Sequence, residues 1–137
     1  MNPKIKILFF SLLVSYIILM LCSSCKDQGN NNFQSNIVFP DTGHISFTIY
    51  VQPLFQQTCV AAQCHGGSNP VDGLDLTAPC WDAIHDYKAG VLVGSNSLLY
   101  KRIAGIGYTR MPPQNYPALT TNQINGVKRW LDQGAGY

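Results

Sequence analysis

Two thiols and an imidazole stand within one short run, Cys59-Val60-Ala61-Ala62-Gln63-Cys64-His65-Gly66, and any fold of this chain must gather these three reactive groups into a single loop. The four residues between the cysteines include neither Gly nor Pro, so a continued helical turn with a bulge is compatible with them. The surrounding sequence offers only short elements to wall that loop in. From Ile45 to Cys59 the apolar spacing predicts an extended entry turning into a short helix, with Thr48 as cap and Pro53 near its first turn. A Gly, Ser, Asn and Pro cluster at 66–73 predicts a loop. A second helix is expected from Ala78 to about Asp86, with Thr77 as cap, Pro79 in the first turn, and Trp81 and Ile84 facing inward. Gly90 and Gly94 bracket a short extended Val91-Leu92-Val93. Ser97 then caps a third helix, Leu98 to Ala104, stopped at Gly105, with Leu99 and Ile103 on one face. Thr120-Thr121-Asn122-Gln123 has capping-box spacing before the stripe Ile124, Val127, Trp130 and Leu131 of a last helix.

The front of the chain sets the compartment. Residues 1–24 carry Lys4 and Lys6, then the apolar run Ile7 to Leu21, then small Ser23 and Ser24, which is the pattern of an export signal. The run is shorter than the roughly 20 apolar residues a spanning helix needs. Leu21-Cys22-Ser23-Ser24-Cys25-Lys26 resembles a bacterial lipoprotein cleavage site, with Cys25 as the lipidated residue because it follows small Ser24. Residues 25–44, rich in Asn, Gln, Ser and Gly without hydrophobic period, read as a flexible tether to a membrane. That leaves 45–137 as the functional domain, extracytoplasmic and lipid-anchored.

Charge narrows the partners. The net charge of +2 comes from Lys4 and Lys6, so the exported part is neutral, and charged residues make up 12% of the chain, about half the usual share. Nucleic acid is not an expected partner. Acidic residues concentrate before residue 90 and basic ones after it, an asymmetry able to orient a docking protein.

Three chemistries suit the Cys59, Cys64 and His65 loop. Outside the cytoplasm a disulfide between the cysteines is plausible, although it leaves His65 unexplained. A structural zinc site would draw on Cys59, Cys64, Cys80 and either His65 or His85, but adjacent Cys64 and His65 point apart. Covalent haem attachment uses two cysteines followed directly by histidine, here with four intervening residues in place of the usual two. Each thiol adds across a haem vinyl group, and the histidine is brought under the iron. Such a haem also offers the large apolar body that four short helices otherwise lack. A sixth ligand is then needed, and Met111, the only methionine after residue 24, precedes the stiff Pro112-Pro113; His85 and His44 are the alternatives. Arg102, Arg110 and Lys101 are candidate partners for haem propionates. Cys80 is left over as an odd thiol.

Several blocks occur in the order found in small c-type cytochrome domains, including the planctomycete-type modules of bacterial secreted proteins and lipoproteins. They are Val51-Gln52-Pro53-Leu54-Phe55, Cys64-His65-Gly66-Gly67, Gly73-Leu74-Asp75-Leu76, Ser97 to Ile103, Arg110-Met111-Pro112-Pro113, and Trp130 to Ala135. The chain resembles that family from about Ile45 to Ala135. The resemblance implies an all-α fold of short helices around one haem c per chain. It makes Cys59 and Cys64 the thioether sites and His65 and Met111 the iron ligands. The function it implies is a one-electron carrier serving redox partner proteins, not an enzyme. The competing expectations are a haem sensor or enzyme with an open sixth position, and a haem-free, disulfide-stapled binding or scaffold lipoprotein.

Overall fold

The computed structural model describes residues 35–60, 64–87 and 94–137, and the secondary structure among them is helical, without strands. The export segment, Cys25 and the Val91-Leu92-Val93 stretch lie outside the described residues. No described helix is long and apolar enough to cross a membrane.

The entry to the first helix is tighter than the expected extended strand. Phe47–Val51 forms a π-helical turn that runs straight into α1, Gln52–Thr58, with Pro53 in its first turn. Ser46 rather than Thr48 is the cap, its hydroxyl accepting from the Ile49 N–H at 3.3 Å, and Thr48 serves only as a neighbour 3.0 Å from that hydroxyl. Helix α2, Trp81–Tyr87, begins later than the Ala78 expected, because Thr77 N–H turns back to the Asp75 carboxylate. Ile84 is buried, while Trp81 is half-buried. Helix α3, Leu98–Ala104, is capped by Ser97, which accepts from Tyr100 N–H at 3.0 Å, and it ends at left-handed Gly105. Helix α4, Thr121–Asp132, carries both arms of the Thr120/Gln123 capping box.

The core gathers around α4. Trp130 is fully buried, its ring 5.5 Å from that of Phe47, and its indole N–H donates to Gly136 O at 2.7 Å, folding the C-terminal residues back over the helix. Val127, Leu131, Leu54 and Val51 are buried in the same cluster.

The packed domain begins by Ser35 rather than at Ile45. Residues 35–44, expected as the end of the tether, form an arm laid along α4. Asn122 grips both sides of Phe39, accepting from its N–H at 2.8 Å and donating to its carbonyl at 3.0 Å. Gln123 donates to the Ser35 and Ile37 carbonyls, and Arg129 to those of Pro40 and Gly43. Gly126 makes room for this arm: a Cβ there would overlap the Phe39 ring, which is only 2% exposed. The arm carries little apolar periodicity because side-chain to backbone hydrogen bonds hold it, and hydrophobic patterning does not register such bonds.

Candidate functional site

Cys59 closes α1. Its N–H reaches Phe55 O at 2.8 Å, and Val60 N–H shares the same carbonyl at 3.1 Å. The chain returns at His65, whose N–H donates to Cys59 O at 3.0 Å and whose carbonyl accepts from Leu76 N–H at 2.7 Å. Cys64 O accepts from Val71 N–H at 2.7 Å. The imidazole is thus carried on backbone fixed from both directions. Gly66 is required immediately after it, since a Cβ there would lie 2.6 Å from Val60 Cγ1 and 3.3 Å from Thr77 Oγ1.

Two adjoining cavities of about 150 and 110 Å³ open beside this loop. Cys59, His65, Val71 and Met111 line both. The first is walled further by Phe55, Leu74, Leu76, Leu98, Leu99 and Ile103, with Tyr87, Asp72 and Arg102 as its polar members. The second adds Cys64, Thr58, Pro112, Pro113 and Tyr116. The fold therefore brings Cys59, Cys64, His65 and Met111 to one crevice with largely apolar walls. Met111 arrives there because its N–H donates to Arg102 O at 2.8 Å, docking its loop onto the end of α3.

Electrostatics keep the Cys59 and Cys80 thiols protonated at neutral pH. Burial pushes Cys59 up to about 11, against the Thr58 hydroxyl 3.3 Å from its sulfur and helped by the nearby Cys64 thiol. Cys80 is also pushed up to about 11, by burial and then by Cys59. Cys59, Cys64 and Cys80 are all free thiols in this structure. Among the described residues no group of three or more His, Cys, Asp or Glu side chains is arranged to hold a metal ion, which leaves the zinc alternative without support.

The other expected residues sort clearly. His44 is exposed, and His85 stacks on Trp81 with ring centroids 3.7 Å apart and its Nδ1 2.8 Å from Trp81 O. Neither lines the crevice. Cys80 is fully buried in the core. Of the three candidate propionate partners only Arg102 lines a cavity, with its guanidinium 4.8 Å from the centre of the exposed Tyr108 ring. The wall residues Val71, Asp72, Tyr87 and Tyr116 were not expected. Val71 opens a 3₁₀ turn, Val71–Gly73, and Tyr116 sits in a loop, both too short for periodicity to register, and Tyr87 is placed by its hydroxyl donating to Asp72 O at 3.0 Å.

One buried polar atom of the crevice is left unsatisfied. The His65 Nδ1 atom is buried with no hydrogen-bond partner among the described residues, an arrangement that costs about 1–3 kcal/mol unless something else engages the ring. Beside it stand two unbonded thiols and a thioether, and the remaining walls are mostly apolar. A wider groove of about 500 Å³ lies between the arm and α4, but its Asn122 and Arg129 are engaged by the arm's backbone and its Lys128 by Asp132. No family model, curated protein or solved structure matches the chain, and the site's chemistry is read from its own residues.

Proposed function

We propose that the chain is a monohaem c-type cytochrome, a one-electron carrier held outside the cytoplasm by a lipid on Cys25. The observation that carries this reading is the convergence of Met111, from a distant part of the sequence, with Cys59 and His65 on walls common to both cavities. Cys59 and Cys64 would hold haem c through thioethers, and His65 and Met111 would ligate its iron. Bound there, the haem supplies a single iron that accepts and returns one electron.

The chain's own residues do the rest. The helix end at Cys59 and the return at His65 would put attachment and ligation in one loop. Phe55, Leu98, Leu99 and Ile103 keep water from that side of the crevice. A methionine thioether favours the reduced state and raises the potential. A thioether in the sixth position would leave no open site on the iron for a small substrate, which favours a carrier over a catalyst. Redox partner proteins would supply and receive the electrons.

The exported protein is expected to keep its haem through denaturation, and Cys59→Ala with Cys64→Ala to lose all of it. Reduced protein is expected to bind carbon monoxide slowly or not at all. Haem that dissociates on denaturation refutes the attachment, and rapid carbon monoxide binding would favour a sensor or enzyme with an open sixth position. A chain with no haem and a Cys59–Cys64 disulfide would favour the scaffold reading.

A further inference from the structure

The loop that carries Met111 is short of backbone donors. Pro112 and Pro113 follow Met111 and have no N–H to donate, so donors must come from elsewhere. Arg110 provides them. Its Nη2 donates to the carbonyls of Pro113 at 3.2 Å and Tyr116 at 3.3 Å, tying together the two ends of the turn that Tyr116 N–H to Pro113 O closes at 2.9 Å. Nη1 of the same guanidinium is buried without a partner among the described residues, so the group is held in the loop despite incomplete hydrogen bonding. The Arg110 stem packs close to Gly105, where a Cβ would stand 3.4 Å from Arg110 Cβ. Pro113 and Tyr116, the two residues tied, are themselves walls of the cavity that Met111 lines.

We propose that Arg110 is the positioning residue of Met111. It acts through the loop and does not touch the crevice, and its planar fork lets one terminal nitrogen serve two carbonyls at once. Arg102 O anchors the loop at the Met111 N–H, and Arg110 sets the course of the chain beyond it. Together they hold the sulfur at the wall it shares with His65. This inference rests on the haem-carrier reading above for its functional meaning, but not for its geometry.

The test uses the full exported chain with Arg110→Gln and Arg110→Lys. Amide exchange at Met111 and Tyr116 is expected to quicken at least tenfold in Arg110→Gln, with the amides of α4 unchanged. Lysine, which keeps the charge without the fork, is expected to fall between wild type and Arg110→Gln. In haem-loaded protein the far-red absorption band of methionine-ligated ferric haem is expected to weaken, and carbon monoxide binding to the reduced form to accelerate at least tenfold, while covalent haem content holds. Unchanged exchange at both amides overturns the clamp whether or not haem is bound. Quickened exchange with an unchanged far-red band overturns the positioning role. A wild-type chain that carries haem without that band refutes Met111 as ligand, and the positioning role with it. That failure differs from loss of the clamp, which exchange alone reports.

Discussion

The two sides of this domain are built on opposite principles. Where the arm meets α4, each group finds its partner within the chain: Asn122 brackets Phe39, Gln123 takes two carbonyls, and Gly126 receives an aromatic ring. Around the crevice the apolar side chains of Leu98, Leu99, Leu74 and Met111 stay half-buried, and His65 Nδ1 has no partner among the described residues. A protein that folded only to bury its own side chains would have no reason to treat the two sides differently. The contrast is in keeping with the proposal that a haem occupies the crevice side.

The comparison breaks most readily by truncation. Trp130→Ala is expected to cost about 3–5 kcal/mol in the haem-free and haem-loaded chains alike, because every contact it loses is internal. Leu99→Ala is expected to cost only about 1 kcal/mol without haem and roughly 2–3 kcal/mol with it, since its outer face is covered only when the crevice is filled. Denaturant unfolding of the two variants in both forms checks this, and equal losses for Leu99→Ala would erase the distinction.

A smaller effect separates the two sides by pH. Cys59 at the crevice and Cys80 in the core both have folded values near 11, above the 9.0 of an ordinary thiol. Their contribution is therefore complete below about pH 9 and is lost as pH rises from there toward 11, because the unfolded chain ionises first. Buried Cys80 accounts for on the order of 2 kcal/mol of that fall. Haem attachment converts Cys59 to a thioether that no longer titrates. Alkaline destabilisation is thus expected to be steeper in the haem-free chain, and Cys80→Ala to flatten it in both. Identical slopes for the two forms would mean that Cys59 contributes nothing.

Much of the packed side was legible in the sequence because its signals are local. Ser97 and Gly105 bound α3, and Thr120 with Gln123 opens α4, as their spacing predicts. Pro79 misled, since Thr77 engages Asp75 and leaves the helix to start at Trp81. The arm was invisible for a different reason, its bonds joining residues more than eighty positions apart. In the crevice, Cys59, Cys64, His65 and Met111 could be named from chemistry and resemblance, whereas Val71, Tyr87 and Tyr116 come to the walls only through tertiary contacts.

The smallest expected effect belongs to the best-read signal. Thr120→Ala removes the acceptor for Gln123 N–H and is expected to cost about 1 kcal/mol, read by thermal unfolding, with no change in the crevice's spectroscopy. A spectral change would show that the two sides are coupled through α4.

The backbone bonds of the attachment loop bear on how its imidazole is held. His65 is tied to Cys59 O through its own N–H and to Leu76 N–H through its carbonyl, both ties lying outside the stretch between the cysteines. The Leu76 anchor comes from a separate part of the chain, so the backbone under the imidazole is held from a direction that the attachment stretch does not supply.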